Sequence, residues 1–261
     1  MDGMLSQEEI NALLGNVNSD DGDAAPASAS GSILTAQEQD AIGEISNICM
    51  GTAATTLYSL VNQKVTITTP SVSISTWDEL VADYVKPCVY INISYREGIE
   101  GNNVLILRED DVKVITDLMM GGDGTNLVDE LTDLHLSAIC EAMNQMMGSA
   151  ATSLSSMLEQ KIDISPPSAD LVNLTDEMDD LKVGMFRNNS FVKVYFRMEI
   201  GELVDSSIMQ LYPIELAKEL YTKFNSRQEA TASAAVNETP APAQPQPAPP
   251  APEPVQNAAA Y

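Results

Sequence analysis

The sequence predicts an α+β domain with internal pseudo-two-fold symmetry, in which two repeated helix-plus-strands halves share a β-sheet and contribute one long helix each. Three observations lead there. A long helical run occurs twice, its defining residues displaced by 97 positions throughout. Each run is followed by two alternating segments of strand length. Helices and strands are also set apart within each half, as in α+β chains, where wound α/β chains interleave them.

The elements follow in order. Thr35-x-x-Glu38 has capping-box spacing and opens a helical run to about Gln63. Its counterpart opens at Thr132, where His135 replaces the glutamate, and runs to about Lys161. Each run leads into a β-rich stretch, Val65 to Thr68 in the first half and Ile162 to Ser165 in the second. Val89, Ile91 and Ile93 then mark one face of a strand, with Val104 to Leu107 as the next; Val192, Val194, Phe196 and Ile208 to Leu211 repeat this. Each half closes with an amphipathic helix, about 109–120 and 213–224, the second opened by Pro213 at a favoured first-turn position. A short helical segment is expected from Trp77 to Tyr84, and a longer loop around 168–188. The small residues Gly51/Ala54 and Gly148/Ala151 are expected to let the long helices approach closely.

Composition sets the outer boundaries. Residues 1–14 read as a short peptide and 15–32 as a flexible Asp/Gly/Ala/Ser linker. The folded domain occupies 33–226, with repeats over about 33–124 and 130–226. Residues 227–261 are an Ala/Pro-rich disordered linker, with eight of the fourteen prolines between 240 and 254. Such a stretch favours polyproline II and acts as a semi-rigid spacer. It fits either a free tail or a connection to a further C-terminal domain.

The balance of 13 basic against 38 acidic residues gives a net charge of −25. That field repels nucleic acid and anionic lipid and favours a protein partner with a basic patch. The N-terminus lacks a basic region followed by an apolar run, and no stretch of 18 apolar residues exists. No direct membrane insertion is therefore expected. Cys49, Cys88 and Cys140 lack CxxC spacing and read as small buried hydrophobes of a reducing cytoplasm. His135, the one histidine, has no ligand partners at metal spacing, so no bound metal is expected. Gly121-Gly122-Asp123-Gly124 lacks the Lys-Ser/Thr of a phosphate loop and reads as the linker between the halves.

The repeat also carries polar residues. Asp40, Glu44 and Asn47 fall on one helical face, with Pro70 beyond them; Ser137, Glu141, Asn144 and Pro167 repeat them at the same displacement. An amide does not titrate, so this is not acid–base equipment. It can donate to a phosphoryl oxygen while aligning an attacking water, and phosphoryl transfer responds mainly to such positioning. The carboxylate is left to grip a lysine or arginine. A solvated polar stripe explains one copy; two copies in one register favour chemistry.

The doubled pattern [DS]-x3-E-x2-N-x22-P resembles the signature of the CheC/CheX/FliY phosphatases of bacterial chemotaxis, over about residues 33–226. The resemblance implies a CheC-like fold and hydrolysis of the aspartyl phosphate of the response regulator CheY. It implies that Asn47 and Asn144 orient the hydrolytic water and that Glu44 and Glu141 pair with a partner lysine. Asp40 and Ser137 match the first motif position without a firm role, and Pro70 and Pro167 shape the supporting turns. No cofactor belongs to this chain; the Mg²⁺ is expected in the partner regulator.

At the N-terminus, Ser6-x-x-Glu9 forms a capping box, Leu5 and Ile10 a staple, and Ile10, Leu13 and Leu14 an apolar stripe. A helix this short folds on a groove, either its own domain's or a partner's. It resembles the CheY-binding peptide of flagellar switch proteins. That implies phosphorylated CheY, FliM, FliG and FliN-like components as partners, at the cytoplasmic face of the flagellar basal body. Intact motifs in both halves favour an enzyme; the alternative is a non-catalytic switch scaffold that binds phosphorylated CheY.

Overall fold

The computed structural model describes residues 33–83, 87–174, 184, 186, 187 and 189–237. The N-terminal peptide with Leu5, Ser6, Glu9, Ile10, Leu13 and Leu14, the 15–32 linker and the proline-rich segment lie outside the described residues.

Helix α1 spans Ala36–Val61. Thr35 caps it: its Oγ1 accepts from the Glu38 N–H, and the Glu38 carboxylate accepts from the Thr35 N–H at 2.7 Å. The chain leaves the helix through Asn62 in the left-handed region, φ 49°. The second long helix, α4 (Asp133–Leu158), repeats both ends. Thr132 donates its N–H to His135 Nδ1 at 3.1 Å, and Glu159 exits at φ 47°. An imidazole nitrogen thus does what the Glu38 carboxylate does in the first half, which accounts for the lone histidine.

Strands β1 (Val65–Ile67), β2 (Ser71–Ser75), β3 (Cys88–Glu97) and β4 (Asn102–Arg108) belong to the first half, with α2 (Trp77–Asp83) between the second and third and α3 (Glu109–Met119) after the fourth. Strands β5 (Asp163–Ile164), β6 (Ser168–Val172), β7 (Phe191–Ile200) and β8 (Val204–Pro213) belong to the second, closed by α5 (Ile214–Asn237). Among the described residues these form one eight-stranded sheet ordered β1-β7-β8-β4-β3-β5, with β2 also on β7 and β6 also on β3. All pairings are antiparallel. The halves are therefore interlocked: the two short strands after each long helix add to the other half's hairpin.

Several elements depart from the sequence reading. Ser71–Ser75 is a strand, and the loop expected around 168–188 begins with one. Both are short edge segments left partly exposed to solvent. Pro213 ends β8, so α5 starts one residue later. That helix runs to Asn237, past the boundary at 226, because residues 227–237 hold Ala, Glu and Gln and no proline.

Both faces of the sheet are covered. Val89, Ile91, Ile93, Leu105, Leu107, Val194 and Phe196 pack under α1, α3, α4 and α5. The alternate residues Cys88, Tyr90, Val104, Ile106, Met209 and Leu211 join Trp77, Leu80, Leu174 and Phe186 in a smaller cluster on the other side. Double coverage explains why Val104–Leu107 is apolar without alternation.

The long helices run antiparallel. Thr52 Oγ1 and Ser153 Oγ lie 2.7 Å apart, and Thr56 Oγ1 donates to Ser149 Oγ at 2.9 Å. With the displacement of 97, each pair is the symmetry image of the other. The axis thus passes near Ala54 and Ala151, both buried. Gly51 and Gly148 take no part: a Cβ on either would meet nothing within 4 Å. Close approach rests on the alanines and hydroxyls. The glycines are an unrecovered cost of about 1 kcal/mol each relative to alanine.

The loop Gly121–Gly124 folds around Asp117, whose carboxylate accepts the Gly124 N–H at 2.8 Å. A side chain on Gly122 would overlap that carboxylate, so the glycines serve the turn.

Two outcomes follow for stability. Thr35→Ala should cost about 1 kcal/mol in urea unfolding through the lost cap. Asp111 is buried at the start of α3 and accepts from Ser206 Oγ at 2.5 Å; burial holds its pKa above the ordinary carboxylate range. A raised folded-state value means that the penalty is absent below the unfolded pKa and grows as pH rises through the folded one. Asp111→Asn, which keeps an acceptor for Ser206, should therefore exceed wild type in stability near neutral pH. The advantage should vanish below about pH 4. Urea unfolding across that range checks it; an advantage independent of pH would refute it.

Candidate functional site

The inner face of α1 carries Ile42, Ile45, Met50, Ala53, Leu57 and Val61, all buried against the sheet and the other helices. This fixes the rotation of the helix and turns Asp40, Glu44 and Asn47 outward, where all three are exposed. On α4, burial of Ile139, Ala142, Met143, Met146, Ala150 and Leu154 does the same for Ser137, Glu141 and Asn144. The first two are exposed and Asn144 is half-buried.

The proline spacing has a geometric cause. From Asn47 the helix descends 14 residues to Val61, roughly 21 Å at 1.5 Å per residue. The chain then returns in extended form from Lys64 to Pro70, again roughly 20 Å at about 3.3 Å per residue. The proline arrives level with the asparagine. A one-residue bulge places it there. Ile67 faces Met198 and Ser71 faces Tyr195, so four steps on one strand match three on the other. The second half repeats this, with Ile164 opposite Tyr95 and Ser168 opposite Asn92. Proline has no N–H to donate and suits the break between the paired stretches.

Each motif thereby lines a notch. The first, of about 310 Å³, is formed by Asp40, Gly43, Glu44, Asn47, Pro70 and Val72, with Gln39 and Thr69 at its rim. The second, of about 460 Å³, is formed by Ser137, Cys140, Glu141, Asn144, Pro167 and Asp170, among others. Both sit at the low end of small-molecule pockets and are rimmed by exposed polar groups, which suits a surface that docks against another macromolecule. All eight motif residues expected from the sequence are brought together, four at each notch. The walls from Val72, Ala169 and Asp170 were missed with strands β2 and β6; the alternation Ser71-Val72-Ser73-Ile74-Ser75 was the signal available.

The two notches lie apart. Asn47 and Asn144 each stand seven residues before the helix crossing, in opposite directions. At 1.5 Å per residue they are on the order of 20 Å apart along the helix axes. They are two sites.

Among the described residues, no side-chain hydrogen bond or ion pair holds Asp40, Glu44, Asn47, Ser137 or Asn144. Glu141 differs, accepting from Gln145 Nε2 at 2.7 Å. The counterpart of Gln145 is Ile48, which is 44% exposed and offers Glu44 no such bond. Nucleophilic sulfur chemistry finds no support in the second notch. Burial, with Asp170 adding to it, pushes the Cys140 thiol up, whereas a reactive cysteine needs a depressed pKa. Burial likewise raises Cys49 and Cys88 to about 12. Among the described residues no group of three His, Cys, Asp or Glu side chains is placed to hold a metal ion.

The model of the CheC-like family matches residues 38–74 and 134–169, which contain the two motifs from Asp40 to Pro70 and from Ser137 to Pro167. The flagellar motor switch phosphatase FliY of Bacillus subtilis is 44% identical over 232 residues, which are 89% of this chain and 60% of that protein. This chain thus spans about three-fifths of the length of that relative. The crystal structure of Thermotoga maritima FliY superposes with a TM-score of 0.69 at 42% identity, covering 75% of this chain and 99% of that one. The middle domain of FliM from H. pylori, at 16% identity and a TM-score of 0.56, covers 73% of this chain and 99% of its own, and shares the fold. With both motifs inside the matched segments and a 42% identical relative covered almost end to end, the chain belongs to the CheC-like family.

Proposed function

We propose that this chain hydrolyses the aspartyl phosphate of CheY at the flagellar motor switch, using two surface sites. The observation that carries the reading is the doubled Glu-x-x-Asn face, each copy beside its proline, with neither amide engaged among the described residues. The likeness to a protein named flagellar motor switch phosphatase supports it.

In this mechanism Asn47 or Asn144 enters the regulator's phosphorylated site. Its carbonyl oxygen accepts from the attacking water, and its NH₂ donates to a phosphoryl oxygen. The water oxygen bonds to phosphorus as the bond to the aspartyl oxygen breaks, and the regulator's carboxylate leaves with the electron pair. The water's proton passes to bulk solvent or phosphate. Glu44 or Glu141 pairs with a lysine of the regulator and sets the approach. Asp40 and Ser137 complete the outer end of each face. Mg²⁺ belongs to the phosphorylated regulator, so this chain supplies no cofactor.

The net charge of −25 favours encounter with a basic surface. The peptide with Leu5, Ser6, Glu9, Ile10, Leu13 and Leu14 captures phosphorylated CheY and raises its concentration near the notches. FliM, FliG and FliN-like components are the proposed neighbours, at the cytoplasmic face of the basal body.

Asn47→Ala with Asn144→Ala should remove most of the acceleration of CheY dephosphorylation in Mg²⁺. Roughly 3–4 kcal/mol, or 10²- to 10³-fold, is at stake at each site by analogy with lost transition-state donors. Deleting residues 1–14 should instead raise the apparent KM and leave kcat. Undiminished turnover by the double variant would sink the assignment of the amides. Binding without any acceleration by the wild type would leave a switch scaffold.

A further inference from the structure

We infer that Gly51 and Gly148 are positioning residues, bare points on each motif helix against which the phosphorylated regulator closes so that the neighbouring amide reaches the phosphoryl group. The inference rests on the reading of the two faces as phosphatase sites.

Each glycine stands one turn beyond its asparagine, so Asp40, Glu44, Asn47 and Gly51 form one continuous stripe, as do Ser137, Glu141, Asn144 and Gly148. Both lie inside uninterrupted 26-residue helices, where glycine is the worst choice short of proline. The usual reasons for tolerating it fail here. Neither residue has a positive φ. Neither is at a helix contact, since a Cβ on either would meet nothing within 4 Å. The crossing is made by Thr52, Thr56, Ser149 and Ser153 instead. Neither interrupts or caps its helix.

Among the described residues no packing or backbone reason remains, and the feature occurs at both sites. What a missing Cβ supplies on an exposed helix is room for another surface to come closer. The next residues on the stripe are consistent with this. Thr55 Oγ1 donates to the Gly51 carbonyl at 3.3 Å, and Thr152 Oγ1 to the Gly148 carbonyl at 3.0 Å. Those hydroxyls are turned onto their own helix, so the surface beyond each amide is low. A methyl group added there would hold an incoming backbone off by about an ångström, at a distance where reacting groups tolerate little error.

The test sets stability against turnover in the full chain carrying Gly51→Ala and Gly148→Ala. Thermal unfolding should shift upward by roughly 4–8 °C, because alanine is the better helix former and has space. The kcat/KM for phosphorylated CheY should fall roughly 10- to 100-fold. The Asn47→Ala/Asn144→Ala chain, measured beside it, should lose turnover with its melting temperature little changed. A glycine variant with wild-type turnover would overturn the inference and leave the phosphatase reading intact, provided the asparagine variant is inactive. A lower melting temperature would overturn it too, by showing that the glycines serve packing. Failure of the wild type to accelerate dephosphorylation would remove the reading beneath both.

Discussion

The antiparallel crossing of the two long helices is the constraint on which the other features depend. Thr52 meets Ser153 and Thr56 meets Ser149 about an axis near Ala54 and Ala151. Because the crossing is antiparallel, the N-terminal turns of α1 and α4 point in opposite directions, and each motif is carried to its own end of the layer. The strand that follows each helix must then return along the far hairpin. Hence β1 and β2 complete the sheet beside β7, and β5 and β6 beside β3. At the centre β4 meets β8, with Ile106 opposite Met209 and Val104 opposite Leu211. Neither half could close its sheet alone, so the repeat is a symmetry of one domain.

That interlocking ties each site to the opposite half. The wall bearing Pro70 and Val72 belongs to the first half in sequence but is hydrogen-bonded to β7 of the second. A change in either hairpin would be felt at the other half's notch. The apolar faces of α1 and α4 have the same consequence. Burial of Ile45 and Met50 on one helix, and of Ala142 and Met146 on the other, sets helix rotation, and rotation sets where the amides point. Rigid elements, with few loops, hold the motif side chains, as the proposed positioning chemistry would require.

The fold was legible in the sequence to the extent that each element carried its own local signal. Thr35 and Glu38 announce a helix start, Val89, Ile91 and Ile93 a buried face, and the displacement of 97 announces the symmetry. The sheet order was not legible, because which hairpin receives β2 is decided by the helix crossing, a contact between residues about a hundred positions apart. The two edge strands were missed since half of their residues face solvent, and α5 was cut short because composition near 227 resembles the tail that follows. The motif residues were readable because the same pattern recurs at one displacement in both long helices. The notch walls, and the role of the bulge in bringing proline to asparagine, needed the return path of the chain. The glycines illustrate the opposite error: small residues three apart suggested helix contact, and only the open space above Gly51 and Gly148 separates them from Ala54 and Ala151.

The two sites share a scaffold but not their surroundings, and the differences fall beside the motif, never within its Glu and Asn. Gln145 holds Glu141 through an exposed i,i+4 contact, of a kind that contributes about 0.2–0.5 kcal/mol to a helix. If Glu141 pairs with a partner lysine as proposed, that lysine would displace Gln145 at little cost, so the bond would orient the carboxylate without blocking it. At the first site Ile48 occupies the equivalent place and presents apolar surface. Cys140 and Gly43 form a second unlike pair, giving one notch a thiol floor where the other is bare. On the proposed mechanism these substitutions act on how the partner is held, because the amide that orients water is common to both. In that reading the duplicated unit keeps its Glu and Asn fixed by helix geometry, while the residues beside them, Gln145 against Ile48 and Cys140 against Gly43, differ between the notches.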